Sequence, residues 1–460
     1  MSQDPTRTPV RILAITVASA VLATACVATS PPSSAPGDGS VAPSIASRSP
    51  GVTPSPTPFA PRVIGQPVFV ADVTADVSRP SLAIDPIRNR VYVAWTTNPN
   101  ETDNVSFIAT SSDGGRTFGS PVQIPGRGEF WPVLKVTSDG TLVVAWTHWQ
   151  SDVLLDPKDQ YSTAGYQYVA KSSDGGQTLS APVQVEHGGH PKVEHVYMNT
   201  AVSSDGKTIS VSWFDYTPFS IPSLPQPGRE AVTMWAATSN DGGATFGEPV
   251  EISANTCVCC MEAGVVLDGN PAFVFRGWQA GGEAGDIRNP TIVVSTAQGQ
   301  SWSPPEVIHH DDYVAPECPH VGFGAVVDRA GLLHVTWWTG TPDRAGFWYT
   351  TSPDGAHFAE PVSLAPLAST PHENDAALGV DLQDTAWATT VDPGPLNEDG
   401  SADPGKAVIR AWAIGPDSRP IAVTGATVSG RLPQIGGLAS GAILTFVDAQ
   451  NRMMAVRLGS

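Results

Sequence analysis

The chain has 460 residues, of which 25 are Lys or Arg and 44 are Asp or Glu, giving a formal charge of −19. A nucleic-acid partner is not expected, because neutralising phosphates needs a basic face. With 44 Gly, 43 Pro and only 15% charged residues, long charged helices are disfavoured and a turn-rich all-β protein fits best.

The first residues carry Arg7 and Arg11, then an apolar run over 12–22, then Ala23-Thr24-Ala25-Cys26. That order of basic, apolar and small residues reads as a secretory signal over 1–25. The apolar run falls short of the about 20 residues a membrane span needs. Small residues directly before a cysteine resemble a bacterial lipobox. The resemblance implies that Cys26 becomes the lipidated first residue of the mature protein. The chain would then be exported and anchored to the outer face of the bacterial cell membrane. Ala23 stands where such motifs most often have Leu, and an ordinary signal peptide with Cys26 as a bystander is the alternative. Residues 26–62 continue as a stretch rich in Pro, Ser, Ala, Thr and Gly that cannot bury a core and reads as a tether. Residues 63–460 are expected to form one folded domain, and a monomer.

One short pattern recurs along that domain. It stands as Ser111-Ser112-Asp113-Gly114-Gly115-Arg116-Thr117-Phe118, as Ser172-Ser173-Asp174-Gly175-Gly176-Gln177-Thr178-Leu179 and as Ser239-Asn240-Asp241-Gly242-Gly243-Ala244-Thr245-Phe246. Weaker copies are Ser295-Thr296-Ala297-Gln298-Gly299-Gln300-Ser301-Trp302, which lacks the Asp, and Ser352-Pro353-Asp354-Gly355-Ala356-His357-Phe358, one residue shorter. Steps of roughly 60 residues suit a four-stranded propeller blade with generous loops. Each copy also makes sense as a turn: the carboxylate accepts nearby backbone N–H groups and the glycines supply positive φ. Between copies lie strand-like runs such as Arg90 to Trp95, Leu142 to Trp146 and Leu333 to Trp337, alternating and rich in Val and Trp.

These copies resemble the Asp box, or BNR repeat, of the sialidase superfamily, in which the box is a structural turn away from the catalytic face. On that resemblance Asp113, Asp174, Asp241 and Asp354 are structural. Inner strands are expected to begin near Pro80, Pro132, Tyr197, Glu262, Val321 and Asp375, giving six blades. Residues 432–458 supply three further strands and no fourth, while Gln66 to Val70 resembles the fourth strand of other blades. Pairing that N-terminal strand with the C-terminal three completes a seventh blade and leaves no free edge. Seven blades are therefore preferred to six, although true sialidases have six.

In such a ring, the loops entering each inner strand and those between its second and third strands gather on one face. Of the ten histidines, all but His334 and His357 fall in those loops, together with Glu129, Glu186, Glu194, Asp311, Asp312, Glu317, Glu373 and Asp375. Four cysteines mark two neighbouring blade entrances: Cys257, Cys259 and Cys260, then Cys318 close to His320. In an exported protein disulfides are the first expectation, as a bridge from blade four to blade five and a Cys259–Cys260 vicinal bond. The other reading is a metal site of Cys257, Cys259, Cys260, Cys318 and His320, whose soft ligands would favour copper(I) or zinc. The pairing of these two entrances also looks like exported bacterial BNR-repeat proteins labelled exo-sialidase-like.

Sialidases grip a sugar carboxylate with three arginines and use a Tyr nucleophile from the C-terminal part of the propeller. Arg79-Pro80-Ser81-Leu82 looks like that family's Arg-Ile-Pro motif with the middle residue missing, and Arg276, Arg288 and Arg344 are further candidates for a carboxylate clamp. The last tyrosine of the chain is Tyr349, so the expected nucleophile has no counterpart. An enzyme would have to recruit Tyr197, Tyr216 or Tyr313. Trp131, Trp149, Trp278 and Trp338 fall near the same face. The expected function is ligand binding, with a glycan, a metal or a protein partner at a face rich in His, Cys and acid. A sialidase-like hydrolase and a copper or zinc redox protein are the alternatives.

Overall fold

The structure, a computed structural model, describes residues 59–459 apart from 75–76, 98–103, 127–128, 157–158, 187–194, 217–230, 259, 282–284, 316–318, 368, 372–374, 396–404 and 416; the side chains of 150–164 and 231 are also outside it. The signal, Cys26 and most of the tether therefore lie outside the described residues.

The described residues form 29 strands in seven antiparallel sheets. After β1 (Arg62–Asp72), blade 1 is β2 (Ser78–Asp85), β3 (Arg90–Thr97), β4 (Val105–Ser111) and β5 (Val122–Gln123). Blade 2 is β6 (Glu129–Val136), β7 (Leu142–Asp156), β8 (Asp159–Ser172) and β9 (Val183–Gln184). Blade 3 is β10 (His195–Val202), β11 (Ile209–Asp215), β12 (Ala231–Ser239) and β13 (Val250–Cys257). Blade 4 is β14 (Ala263–Leu267), β15 (Asn270–Arg276), β16 (Pro290–Val294) and β17 (Glu306–Val307). Blade 5 is β18 (Gly324–Val327), β19 (Leu333–Thr339), β20 (Gly346–Ser352) and β21 (Val362–Pro366). Blade 6 is β22 (Leu378–Val380), β23 (Ala386–Asp392), β24 (Val408–Ile414) and β25 (Pro420–Ala422), with β26 (Val428–Ser429) also on β24. Blade 7 is β27 (Arg431–Gly437), β28 (Ala442–Val447) and β29 (Arg452–Gly459). Its fourth strand is β1, which pairs with β29 from Arg62 opposite Gly459 to Asp72 opposite Arg452. The ring is thus a seven-bladed propeller closed by its own N-terminal strand, which removes the free edge.

The second strand of each blade shows why the sequence folds this way. On β3, Val91, Val93 and Trp95 pack with Ile443, Val447 and Met453 of blade 7, whereas Tyr92 and Ala94 pack with Leu142, Val144 and Trp146 of blade 2. Side chains alternate across a strand, so a nearly continuous apolar run serves two interfaces at once. Near the channel axis the inner strands approach backbone to backbone. A Cβ on Gly264 would lie 2.5 Å from the Thr200 carbonyl oxygen, and one on Gly379 2.7 Å from the Cα of Gly436, so both positions need glycine. Trp338, expected near the ligand face, stands at the end of β19 that leads to that face but is buried at 1% exposure, packed with Tyr313.

The recurring Asp turns lie between the third and fourth strands of their blades. Gly114 N–H donates to the carbonyl of Asn89, in the turn joining β2 to β3, so the box shares the face opposite the inner-strand entrances. In the first copy, Asp113 Oδ1 accepts from Arg116 N and Thr117 N, both at 2.9 Å, and Oδ2 from the Thr117 hydroxyl at 2.7 Å. Asp174 and Asp241 repeat the scheme, and Asp354 substitutes the His357 ring for the Thr hydroxyl. These bonds hold all four carboxyls below the usual range. The copy without Asp keeps only the serine part, Gly299 N–H donating to Ser295 Oγ.

Candidate functional site

The inner strands line a central channel with a cavity of about 150 Å³, enough for several waters or one small group. Its walls carry Arg79, Lys135, Asn199, Glu262 and Asp375 among apolar neighbours. At the mouth, blades 1, 2, 3 and 7 share one device: each inner strand begins with a register shift, between Ser78 and Ser81, Phe130 and Val133, Val196 and Asn199, and Arg431 and Gln434. Within each shift a residue other than glycine takes positive φ: Arg79 at 40°, Trp131 at 49°, Tyr197 at 54° and Leu432 at 55°. A bulge re-aims its side chain, and left-handed backbone at such residues is strained by about 1–3 kcal/mol each.

Three of these four side chains meet. The Arg79 guanidinium carbon lies 4.7 Å from the Trp131 ring centre and 5.2 Å from that of Tyr197, and the two rings are 4.9 Å apart. The aromatic surface extends outward on both sides. Phe130 is 4.0 Å from Trp131 and 5.5 Å from Trp149, and Tyr216 stacks on Tyr197 at 6.2 Å. Arg79 is held by Asp375 at 3.7 Å, whose other oxygen accepts Gly322 N–H at 2.7 Å. Its Nη1 is buried and donates no hydrogen bond among the described residues.

Below the platform sits Glu262, 1% exposed. Its Oε1 accepts the Ser212 hydroxyl at 2.8 Å, while its buried Oε2 has no hydrogen-bond partner among the described residues. Burial keeps its proton on up to about 8, against the pull of its own backbone N–H, Ser212 and Arg79. Lys135 donates to the Gly264 carbonyl at 2.7 Å, and desolvation lowers its ammonium to about 8. The channel thus offers two cations, a carboxylate and a protonated carboxyl beneath an aromatic rim.

Three histidines of this face pair closely with carboxylates. His148 meets Glu129 at 2.7 Å and His309 meets Asp311 at 2.9 Å. His195 bonds Glu186 at 2.7 Å and approaches Asp215 at 3.6 Å. Burial alone would lower His195, but Asp215 and Glu186 outweigh it and raise the ring to about 9. Among the described residues no group of three or more His, Cys, Asp or Glu side chains is placed to hold a metal ion. His187, His190, His372, Glu194, Glu317 and Glu373 lie outside the described residues.

The four candidate clamp arginines go to three places. Arg79 is at the channel mouth. Arg276 and Arg288, 0% and 1% exposed, lie together behind it, where Arg276 donates to the carbonyls of Arg288 and Trp338. Arg344 is beside His309 at 2.7 Å, with its guanidinium over Trp348 at 4.1 Å.

The disulfide expectation is corrected for the cysteines described. Cys257 and Cys260 are thiols with sulfurs 3.9 Å apart, about twice the ~2.05 Å of a bond. Neither a vicinal Cys259–Cys260 bond nor a bridge from either described thiol to blade 5 is formed. The local reason is charge: Arg288 donates to Cys257 Sγ at 2.8 Å. Burial raises this thiol, but the Cys260 S–H and the Arg288 and Arg276 guanidiniums outweigh it and lower Cys257 below the usual thiol range. Cys260 is raised by burial and by Cys257. Cys259 and Cys318 lie outside the described residues.

Sequence reasoning placed Arg79 and Trp131 on this face but missed Glu262 and Lys135 as site residues, and it missed the stack itself. One signal was present: Arg79-Pro80, Trp131-Pro132 and Leu432-Pro433 are in register, so aligning the prolines picks out three of the bulge residues.

No family model matches the chain, and no curated protein matches it. Solved structures similar to it include a protein of unknown function from Dyadobacter fermentans, 14% identical, covering 87% of this chain and 99% of that one with a TM-score of 0.48. Another is the Penicillium chrysogenum alpha-L-arabinanase complexed with arabinobiose, 14% identical over 85% and 97%, TM-score 0.45. A third is the Trypanosoma rangeli sialidase in complex with the inhibitor DANA, 12% identical over 74% and 56%, TM-score 0.42. At these identities the likeness concerns overall fold and carries no substrate to this chain.

Proposed function

We propose that this chain is an extracytoplasmic, lipid-anchored propeller that binds a saccharide at the mouth of its central channel. The observation that carries the reading is the Arg79, Trp131 and Tyr197 stack, built from three blades on strained bulges. Flat aromatic rings with a polar edge suit the apolar face of a sugar. Arg79 and Glu262 supply the hydrogen-bonding groups that fix its hydroxyls. The small cavity beneath takes one substituent while the rest of the saccharide lies across the rim toward Trp149. The test is a glycan array probed with the wild-type protein and with Trp131→Ala: the reading expects a defined set of saccharides retained by the first and lost by the second. Retention of no saccharide by the wild type would overturn it.

A second reading, an exo-sialidase-like glycoside hydrolase, is favoured by one observation. Glu262 combines burial with a retained proton near neutral pH, the property of a general acid. A fluorogenic sialoside assay with an Arg79→Ala control tests it. Turnover abolished by the substitution supports the enzyme, and no turnover at high protein concentration leaves binding.

A further inference from the structure

Behind the mouth, where blades 3, 4 and 5 meet, lies a cluster that saccharide binding does not use. Cys257 ends the outer strand of blade 3 and Cys260 precedes the inner strand of blade 4, so the pair has C-x-x-C spacing. Both side chains are fully buried, and their sulfurs are 3.9 Å apart. Arg288 Nη1 donates to Cys257 Sγ at 2.8 Å. Arg276 sits alongside, fixed by the carbonyl oxygens of Arg288 and Trp338 and by the Phe323 ring at 5.3 Å. A guanidinium against sulfur stabilises the thiolate, which is the nucleophilic form. The neighbouring Cys260 sulfur, 3.9 Å away, is a second partner.

We propose that Cys257 and Cys260 form a dithiol oxidised by hydrogen peroxide, with Cys257 as the attacking sulfur and Cys260 as the resolving one. In the first step the Cys257 thiolate attacks a peroxide oxygen, an S–O bond forms and the O–O bond breaks. The sulfur becomes a sulfenic acid, and the departing hydroxide takes a proton and leaves as water. In the second step the Cys260 sulfur attacks the Cys257 sulfur, the S–O bond breaks, and the departing hydroxide takes the Cys260 proton to give a second water. One peroxide is reduced by two electrons and the two sulfurs are oxidised to one disulfide. The guanidinium of Arg288 lies beside the sulfur on which hydroxide develops, where it stabilises the charge. Closing the bond brings the sulfurs together from 3.9 Å to about 2.05 Å. Burial sets the selectivity: peroxide is close to water in size, whereas a bulky disulfide such as oxidised glutathione does not reach the sulfurs.

The experiment treats the reduced, full chain with peroxide or with oxidised glutathione, blocks the remaining thiols by alkylation and maps the linked peptides. The expected result is a Cys257–Cys260 link with peroxide only, reversed by dithiothreitol. In Cys260→Ser a sulfenic acid on Cys257 accumulates and is trapped by dimedone. Arg288→Gln, checked for folding by circular dichroism, reacts at least about tenfold more slowly; if it does not fold, the Cys260→Ser trapping decides. The proposal is overturned if Cys257 and Cys260 remain thiols in the folded protein under peroxide, if oxidation links only other cysteines, or if the purified protein carries a stoichiometric metal ion that protects both thiols.

Discussion

The guanidinium carbon of Arg79 lies 4.7 Å from the centre of the Trp131 ring, although the two residues belong to inner strands of different blades and each holds a left-handed backbone, at φ 40° and 49°. A cation over an indole contributes about 0.5–2 kcal/mol, whereas two strained residues cost about 1–3 kcal/mol each. The contact by itself does not offset the strain. Side chains held this way at a channel mouth are better explained by what they bind than by what they stabilise.

That comparison predicts an ordering of variants. Trp131→Gly relieves the left-handed strain and Trp131→Ala does not, so the glycine variant should be the more stable of the two by about 1 kcal/mol. Denaturant melts of both measure it. An alanine variant equal to or more stable than the glycine one would mean that the backbone there is unstrained.

Glu262 gives a pH dependence of definite sign. Its folded pKa is raised by burial from 4.5 to about 8, so between those values the unfolded state releases a proton that the folded state keeps. Stability from this group therefore falls as pH rises from about 4.5 to about 8 and is flat above. Glu262→Gln removes the decline and should be more stable than wild type at pH 9, by roughly 1–3 kcal/mol. A difference between the two proteins that stays constant from pH 5 to 9 would contradict the buried, protonated carboxyl.

His195 acts at its own pH window. Its pKa is raised from 6.5 to about 9 by Asp215 and Glu186, so its contribution is full below about 6.5 and is lost as pH rises through about 9. His195→Gln should cost roughly 1.5–3 kcal/mol at pH 6 and much less at pH 10, read from melting curves at both values. Equal loss at both would place the role in packing against Trp213, 5.7 Å away, instead of in charge.

The Asp turns are predicted to be structural only. Asp113, with its pKa lowered from 3.8 to about 2, contributes stability above about 4 that is lost as pH falls through about 2. Asp113→Ala should lower the melting temperature at pH 7 and leave saccharide binding at the opposite face unchanged. Loss of binding without loss of stability would put the box in the site.

Much of the fold was legible in the sequence because its signals are local. The Ser-x-Asp-Gly-Gly turn and its two weaker copies mark the third-to-fourth strand connections of blades 1 to 5, the alternating Val and Trp runs mark second strands, and Gln66 to Val70 carried enough strand character to place the closing strand. The mouth was only partly legible. Arg79, Trp131 and Tyr197 are far apart in the chain, and their meeting depends on a two-residue bulge whose sole trace is the following proline in two of the three. Glu262 was hidden for another reason: a Glu two residues from a cysteine cluster looks like part of that cluster until the ring turns it into the channel. The cysteines misled through composition, since export suggests disulfides while two arginines distant in sequence instead favour a thiolate.

Saccharide binding at the mouth is tested most directly by isothermal titration calorimetry of the wild type and Trp131→Ala. The titrants are soluble saccharides: sialyllactose, arabinobiose and chito- and cello-oligosaccharides. The expected result is measurable binding of at least one of them by the wild type, weakened about tenfold or more in the variant, or ~1.4 kcal/mol. No heat of binding with any of them, or equal affinity in both proteins, would contradict it.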